Sequence, residues 1–325
     1  MLRTRITLVA AALATPLVLA TCSSSAAPTA PAGGSYTITL RPYGAALPAV
    51  VQVALDSAVA RWERIITSPL PNASIKVPAA ACSASTPADT ETSTGMVVMV
   101  TVRPIDGPGR TLAQSGPCLV RQSDGLTALG IMIVDSADVD TLVKLGALNS
   151  VVLHEMAHVL GFGSLWGPPD SSVKANCLQL PSSPPGTVQD TYFSCAKAIA
   201  QFNAVGGTSY TGGNKVPVEN CGTSPYTYPT CGTGTVNSHW RESVFGNELM
   251  VGFLPSDPRL SVVTIGTMED LGYAVSYAAA DSYVHTFTAP PVVAPPRLSL
   301  GDDVLHGPIY VVDERGSVVR VVRPR

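Results

Sequence analysis

An α+β fold is predicted by three observations along the chain: two segments with apolar residues at helical spacing, β-rich runs between them, and a later Pro-, Gly- and Cys-rich stretch with little periodicity. The first strand is expected from Tyr36 to Arg41. A helix follows from Leu47 to Ile66, where Val51, Leu55, Val59, Trp62 and Ile66 recur at helical spacing and Pro69 and Pro71 close the segment. Met96 to Val102 and Leu126 to Val134 hold enough Val, Ile and Met for buried strands, and the sequence IDGPGRTLAQSGPC between them reads as a loop. Whether Leu126 to Val134 is a central strand or an edge that pairs with an extended peptide stays open. Asp135, Asp138 and Asp140 lead into a second helical region and read as turn and helix-cap residues in preference to calcium ligands. From Gly163 to Ser238 the chain turns to Pro, Gly, Ser and Thr with four cysteines and a short helix around Tyr192 to Ala204, which reads as an insertion stapled by disulfides. Compact helical and turn segments run from His239 to Tyr277, Ala289 to Pro296 is a Pro-rich linker, and Pro308 to Val322 is a hairpin turning at Asp313 to Gly316.

With 325 residues, 46% of them apolar, the chain can bury one large core or two moderate ones. Twenty basic residues against 23 acidic ones leave a net charge of -3 and no basic tract, which argues against a nucleic-acid partner. Arg3 and Arg5 precede an apolar run from Ile6 to Ala20, the order of a secretory signal peptide. That run, about 15 residues, is short for a membrane span. Leu19-Ala20-Thr21-Cys22 resembles the lipobox of bacterial lipoproteins, although Thr21 departs from the small residue usual there; cleavage near Ser25 to Ala27 is the alternative. A lipid anchor at Cys22 and free secretion are thus both carried forward. Six further cysteines fit an oxidising compartment and three disulfides, for which the short-loop pairs Cys82–Cys118, Cys177–Cys195 and Cys221–Cys231 are preferred among the fifteen connectivities. None lies in a Cys-x-x-Cys pair, so a thiolate metal site is disfavoured.

The chemistry-bearing motif is HEMAH. Residues four apart share a helix face, so His154 and His158 can offer two imidazoles to one ion, while Glu155 borders that face and can reach a metal-activated water as general base. Ala157 keeps the face open, and Val152, Met156 and Val159 point towards a core. Buried histidines and a glutamate on an apolar helix would otherwise each need a hydrogen-bond partner. A catalytic zinc takes three protein ligands and keeps one position open. Gly161, three beyond His158, lets the chain turn sharply under the ion, but Ser164 stands where the compact metzincin motif has its third histidine. His239 is the strongest candidate for that ligand, with Met250 eleven residues later as a Met-turn; His285 and His306 read as surface or strand residues. Trp240 and Tyr273 pack around the site or fill the core.

At these residues the chain resembles leishmanolysin, the surface metallopeptidase of the metzincin clan: HEMAHVLGF, the long insertion before a distant histidine, HWRESVFGNELM and TIGTMEDLGY carry the likeness. RWERII, IDGPGRTLAQSGP and GIMIVDSAD are similar to bacterial proteins of this type, and the resemblance runs from roughly Tyr36 to Tyr277. It implies a mixed twisted sheet, an active-site helix, an extended cleft, one catalytic Zn2+, peptide or protein substrates, and a C-terminal subdomain that supplies the third histidine. The expected division is 1–22 leader, 23–35 linker, 36–162 catalytic subdomain with the helix, 163–238 insertion, 239–288 subdomain with His239 and Met250, and 289–325 linker and hairpin. Two departures stand out: Cys22 is the only cysteine before Cys82, so a long propeptide with a cysteine switch is not expected, and the chain beyond Tyr277 is shorter than a full leishmanolysin-type C-terminal domain. A surface adhesin or binding module that keeps the fold without turnover is the main rival function. A hydrolase for non-peptide amides is the second.

Overall fold

The computed structural model describes residues 34–167, 176–182, 189–220, 234–284 and 298–323. The expected leader, most of the linker after it, Cys22, the Cys221–Cys231 pair and His285 lie outside the described residues. The N-terminal half comprises β1 (Ile38–Pro42), α1 (Ala49–Ile65), β2 (Ala73–Val77), β3 (Asp89–Ser93), β4 (Met96–Arg103), β5 (Ala113–Arg121), β6 (Thr127–Asp135), α2 (Val139–Lys144) and α3 (Leu148–Leu160). Shorter pieces follow: β7 (Leu178–Gln179), β8 (Tyr192–Phe193), α4 (Ala196–Phe202), α5 (Thr208–Thr211), β9 (Val216–Pro217), α6 (Glu242–Phe245), β10 (Phe253–Leu254), α7 (Val262–Leu271), β11 (Leu298–Ser299), β12 (Ile309–Val312) and β13 (Val318–Val322).

Alternation of side chains along β4 and β6 builds a sheet with two covered faces. Met96, Val98 and Val100 of β4 and Met132 and Val134 of β6 face a large core shared with Leu55 and Trp62 of α1 and Val152 and Met156 of α3. Val97, Met99, Ile131 and Ile133 point the other way, against Ile75 and Val77 of the β2–β3 hairpin. The sheet is mixed and six-stranded in the order β1-β4-β6-β5-β12-β13; β1, β4 and β6 are parallel, and β5 runs antiparallel to β6. The terminal hairpin, closed by Gly316 N donating to Asp313 O, joins this sheet because β12 pairs parallel with β5.

Three expectations are corrected and one open alternative is resolved. The stretch read as a loop, residues 105–118, becomes strand from Ala113 onward. Gly116 and Pro117 suggested a turn, yet register shifts beside Pro117 and Leu119 accommodate them in β5, and the Cys82–Cys118 disulfide ties the strand down. β6 is central, between β4 and β5, and so is not an edge for a peptide. Tyr192 is in a strand, and the helix starts only at Ala196. Asp138 occupies the N-cap position of α2 without capping it; its carboxylate accepts from Gly109 N at 2.7 Å, and that of Asp135 accepts from Ala137 N at 2.8 Å. The Cys177–Cys195 disulfide staples the insertion as expected.

Gly130 sets how close α3 comes to the sheet. A Cβ there would lie 2.4 Å from Val159 Cγ1, so only glycine lets the helix settle at this depth.

Candidate metal centre

Helix α3 places His154 and His158 one turn apart on the face turned to β5, with their rings 4.8 Å apart. The helix ends at Gly161, whose φ of +119° reverses the chain, and the carbonyl of Phe162 then accepts from His158 Nδ1 at 2.8 Å. His239 arrives from the far side of the insertion. Its Nδ1 lies 3.1 Å from Thr235 O and 3.0 Å from Ser238 Oγ, and the next residue, Trp240, is locked by its backbone N donating to Met250 O at 2.9 Å. His154 Nδ1 donates to Leu249 O at 2.7 Å, so the segment around Met250 is bonded directly to the helix histidine.

Those carbonyls only accept, so each Nδ1 carries the proton and each Nε2 presents a lone pair. The three Nε2 atoms converge at 3.0, 3.1 and 3.2 Å from one another. A fourth atom completes the group: Asp303 Oδ2 is 3.1 Å from His154 Nε2, 3.0 Å from His239 Nε2 and 3.6 Å from His158 Nε2. A tetrahedron of ligands at bonds of about 2.0 Å has edges of about 3.3 Å, which matches these six separations. Four lone-pair atoms at this spacing repel unless a cation lies between them, and the donor set suits zinc.

All of these groups are buried, including Glu155. Ser115 Oγ donates to Glu155 Oε2 at 2.7 Å, while Glu155 Oε1 has no protein partner. Burial pushes the Glu155 carboxyl well above the usual carboxylate range, and the negative charge of Asp303 adds to the shift. Burial alone would raise Asp303 too, but positive charge on the histidine side of the cluster, at His239 first, outweighs it and holds Asp303 well below that range. His154 is lowered to about 4, chiefly by burial.

Residues 66–167 match the family model of leishmanolysin. Over that segment the chain is similar to leishmanolysin. The fold class, a mixed sheet with several helices and, among the described residues, two disulfides, accords with that family, which is one of metallopeptidases. No curated protein matches the chain.

The leishmanolysin-like segment contains His154, Glu155, His158 and Gly161 and ends before His239, Met250 and Asp303. Met250 is fully buried, and its backbone N donates to Glu248 Oε2. Glu248 was missed in the sequence. Its Oε1 also accepts from Ser261 Oγ at 2.8 Å and Thr264 Oγ1 at 2.6 Å, which fixes the carbonyl of Leu249 beneath His154. Asp303 was missed as well, because no spacing rule ties it to residue 154. Trp240 belongs to the core: it packs against Phe162, Trp166, Phe193 and Phe245, and Trp240 Nε1 donates to Thr264 Oγ1. Tyr273 is core too, its hydroxyl donating to Leu160 O at 2.9 Å. His306 is exposed and away from the cluster.

Proposed function

We propose that this chain is a zinc-dependent endopeptidase, secreted or anchored at Cys22 to the outer face of a bacterial membrane, with His154, His158 and His239 as ligands and Glu155 as general base. The observation that carries this reading is the convergence of three Nε2 atoms, each fixed by an Nδ1 bond to a carbonyl or hydroxyl, beside a glutamate one residue from the first ligand. Bound there, zinc supplies Lewis acidity and lowers the pKa of a water to about 7. Glu155 takes the proton of the attacking water and delivers it to the leaving amine. Its environment suits both steps, because burial makes the protonated form accessible and Ser115 holds Oε2 while Oε1 has no protein partner. Met250 and Gly161 support the ligands from below and from the helix end.

The leader (1–22) and linker (23–35) belong to the export reading. No helix among the described residues is long and apolar enough to cross a membrane. The catalytic unit on this reading combines 36–162 with 239–288, spanned by the 163–238 insertion, and the 289–325 segment returns to the main sheet through its hairpin. The rival, a binding module that keeps the metal without turnover, gains from one observation: Asp303 stands at the position a catalytic zinc leaves open.

Digestion of a peptide library by the metal-loaded protein decides between the two. Cleavage that a chelator stops and zinc restores supports the peptidase. A loaded protein that leaves every peptide intact both as wild type and as Asp303→Ala, which frees the fourth position, supports the binding module.

A further inference from the structure

We propose that the segment carrying Asp303 is an internal lock: its carboxylate takes the coordination position that the reacting water needs, and its backbone covers the strand edge beside the metal. The inference rests on the zinc-peptidase reading above and adds to it a closed resting state.

Three independent features place the segment there. The first is the carboxylate, whose Oδ2 forms the fourth corner of a tetrahedron with the three imidazoles. The second is the backbone. Ser115 N donates to Asp303 O at 2.7 Å and Leu305 N donates to Ser115 O at 2.9 Å, so residues 303–305 add to β5 as a parallel strand would. Gln114 Nε2 adds a bond to Asp302 O at 2.9 Å. This is β-augmentation by the chain itself, on the strand whose Ser115 also holds Glu155. The third is closure: His154, Glu155, His158 and His239 are inaccessible to solvent, and Asp303 is 1% exposed. An endopeptidase must admit an extended chain to those atoms. Glu155 Oε1 and Asp303 Oδ1 are both buried without a protein partner.

The lock is held in place from both sides. Leu298 and Ser299 pair with β10, and β12 pairs with β5 beyond Leu119. A Cβ on Gly116 would touch Leu305 Cβ at 3.4 Å, so the strand offers the segment a shallow seat at this point. Opening therefore requires residues 302–305 to leave β5 while the hairpin beyond them can stay paired.

The test replaces zinc by cobalt(II), whose visible spectrum reports its ligands, and titrates the loaded full-length protein with azide. If Asp303 holds the fourth position, wild type resists azide, whereas Asp303→Ala and Asp303→Asn bind it about tenfold more tightly or better, since apparent affinity scales with the fraction of open molecules. Leu305→Pro keeps the carboxylate but deletes the N–H bonded to Ser115 O, and an intermediate azide affinity is expected. Peptide cleavage should rise in the same order. Azide binding to wild type as tight as to Asp303→Ala overturns the lock, and so does loss of cobalt from both Asp303 variants, which would make the residue a structural ligand. An open azide site in the variants with no cleavage of any peptide keeps the lock and removes the peptidase reading.

Discussion

His154 and His158 owe their proximity to one turn of a helix, whereas His239 and Asp303 reach the same point from 85 and 149 residues beyond His154. The first pair is set by local backbone geometry on a helix that Gly130 lets sink onto the sheet. The second pair is set by tertiary packing: an aromatic cluster around Trp240, the buried Glu248, and pairing of residues 303–305 with β5. One half of the centre is therefore robust to changes elsewhere in the chain, and the other depends on how the C-terminal region docks.

Substitutions can weigh the two halves separately. The largest effect is expected in the helical half: Glu155→Gln should retain metal and lower peptide turnover by about 10²–10⁴-fold, the usual contribution of a positioned general base. Steady-state cleavage alongside metal analysis of the same sample would check it, and near-wild-type turnover would remove Glu155 from the mechanism. In the docked half, His239→Ala removes a proposed ligand and should weaken zinc binding beyond the 10–100-fold typical of an outer-sphere change, measured by competition with a chelating dye. Unaltered affinity would mean that the helix pair and Asp303 suffice. Glu248→Gln leaves the proposed ligands in place but loosens the loop under His154, so a loss of about 10–100-fold in zinc affinity is expected. The smallest effect should come from Gly161→Ala. A side chain at φ +119° is strained and its Cβ would sit 2.6 Å from Leu165 Cδ1, so denaturant unfolding should show a loss of about 1–3 kcal/mol. Full stability there would show that the helix end can rearrange without cost.

The same division explains what could be read from the sequence. α1 was legible from apolar residues at helical spacing, β4 and β6 from continuous runs of Val, Ile and Met, and the HEMAH helix from the four-residue spacing of its histidines. His239 could be named only through its resemblance to a family pattern, together with the scarcity of other histidines. β5 was hidden by Gly116 and Pro117, which signal a turn locally but are tolerated in a bulged strand held by β6 and a disulfide. Asp303 and Glu248 were invisible for a stronger reason: each acts through a contact formed only after distant segments pack, and an isolated acidic residue carries no periodic signature. The two disulfides that were read from short loop lengths, Cys82–Cys118 and Cys177–Cys195, succeeded because their loops close within neighbouring elements.

The central claim is that both halves converge on one ion. X-ray absorption at the zinc edge of the reconstituted protein tests it most directly. One zinc per chain with three imidazole nitrogens and one oxygen at about 2.0 Å is the expected result. A sulfur ligand, or only two imidazoles in the first shell, would contradict it.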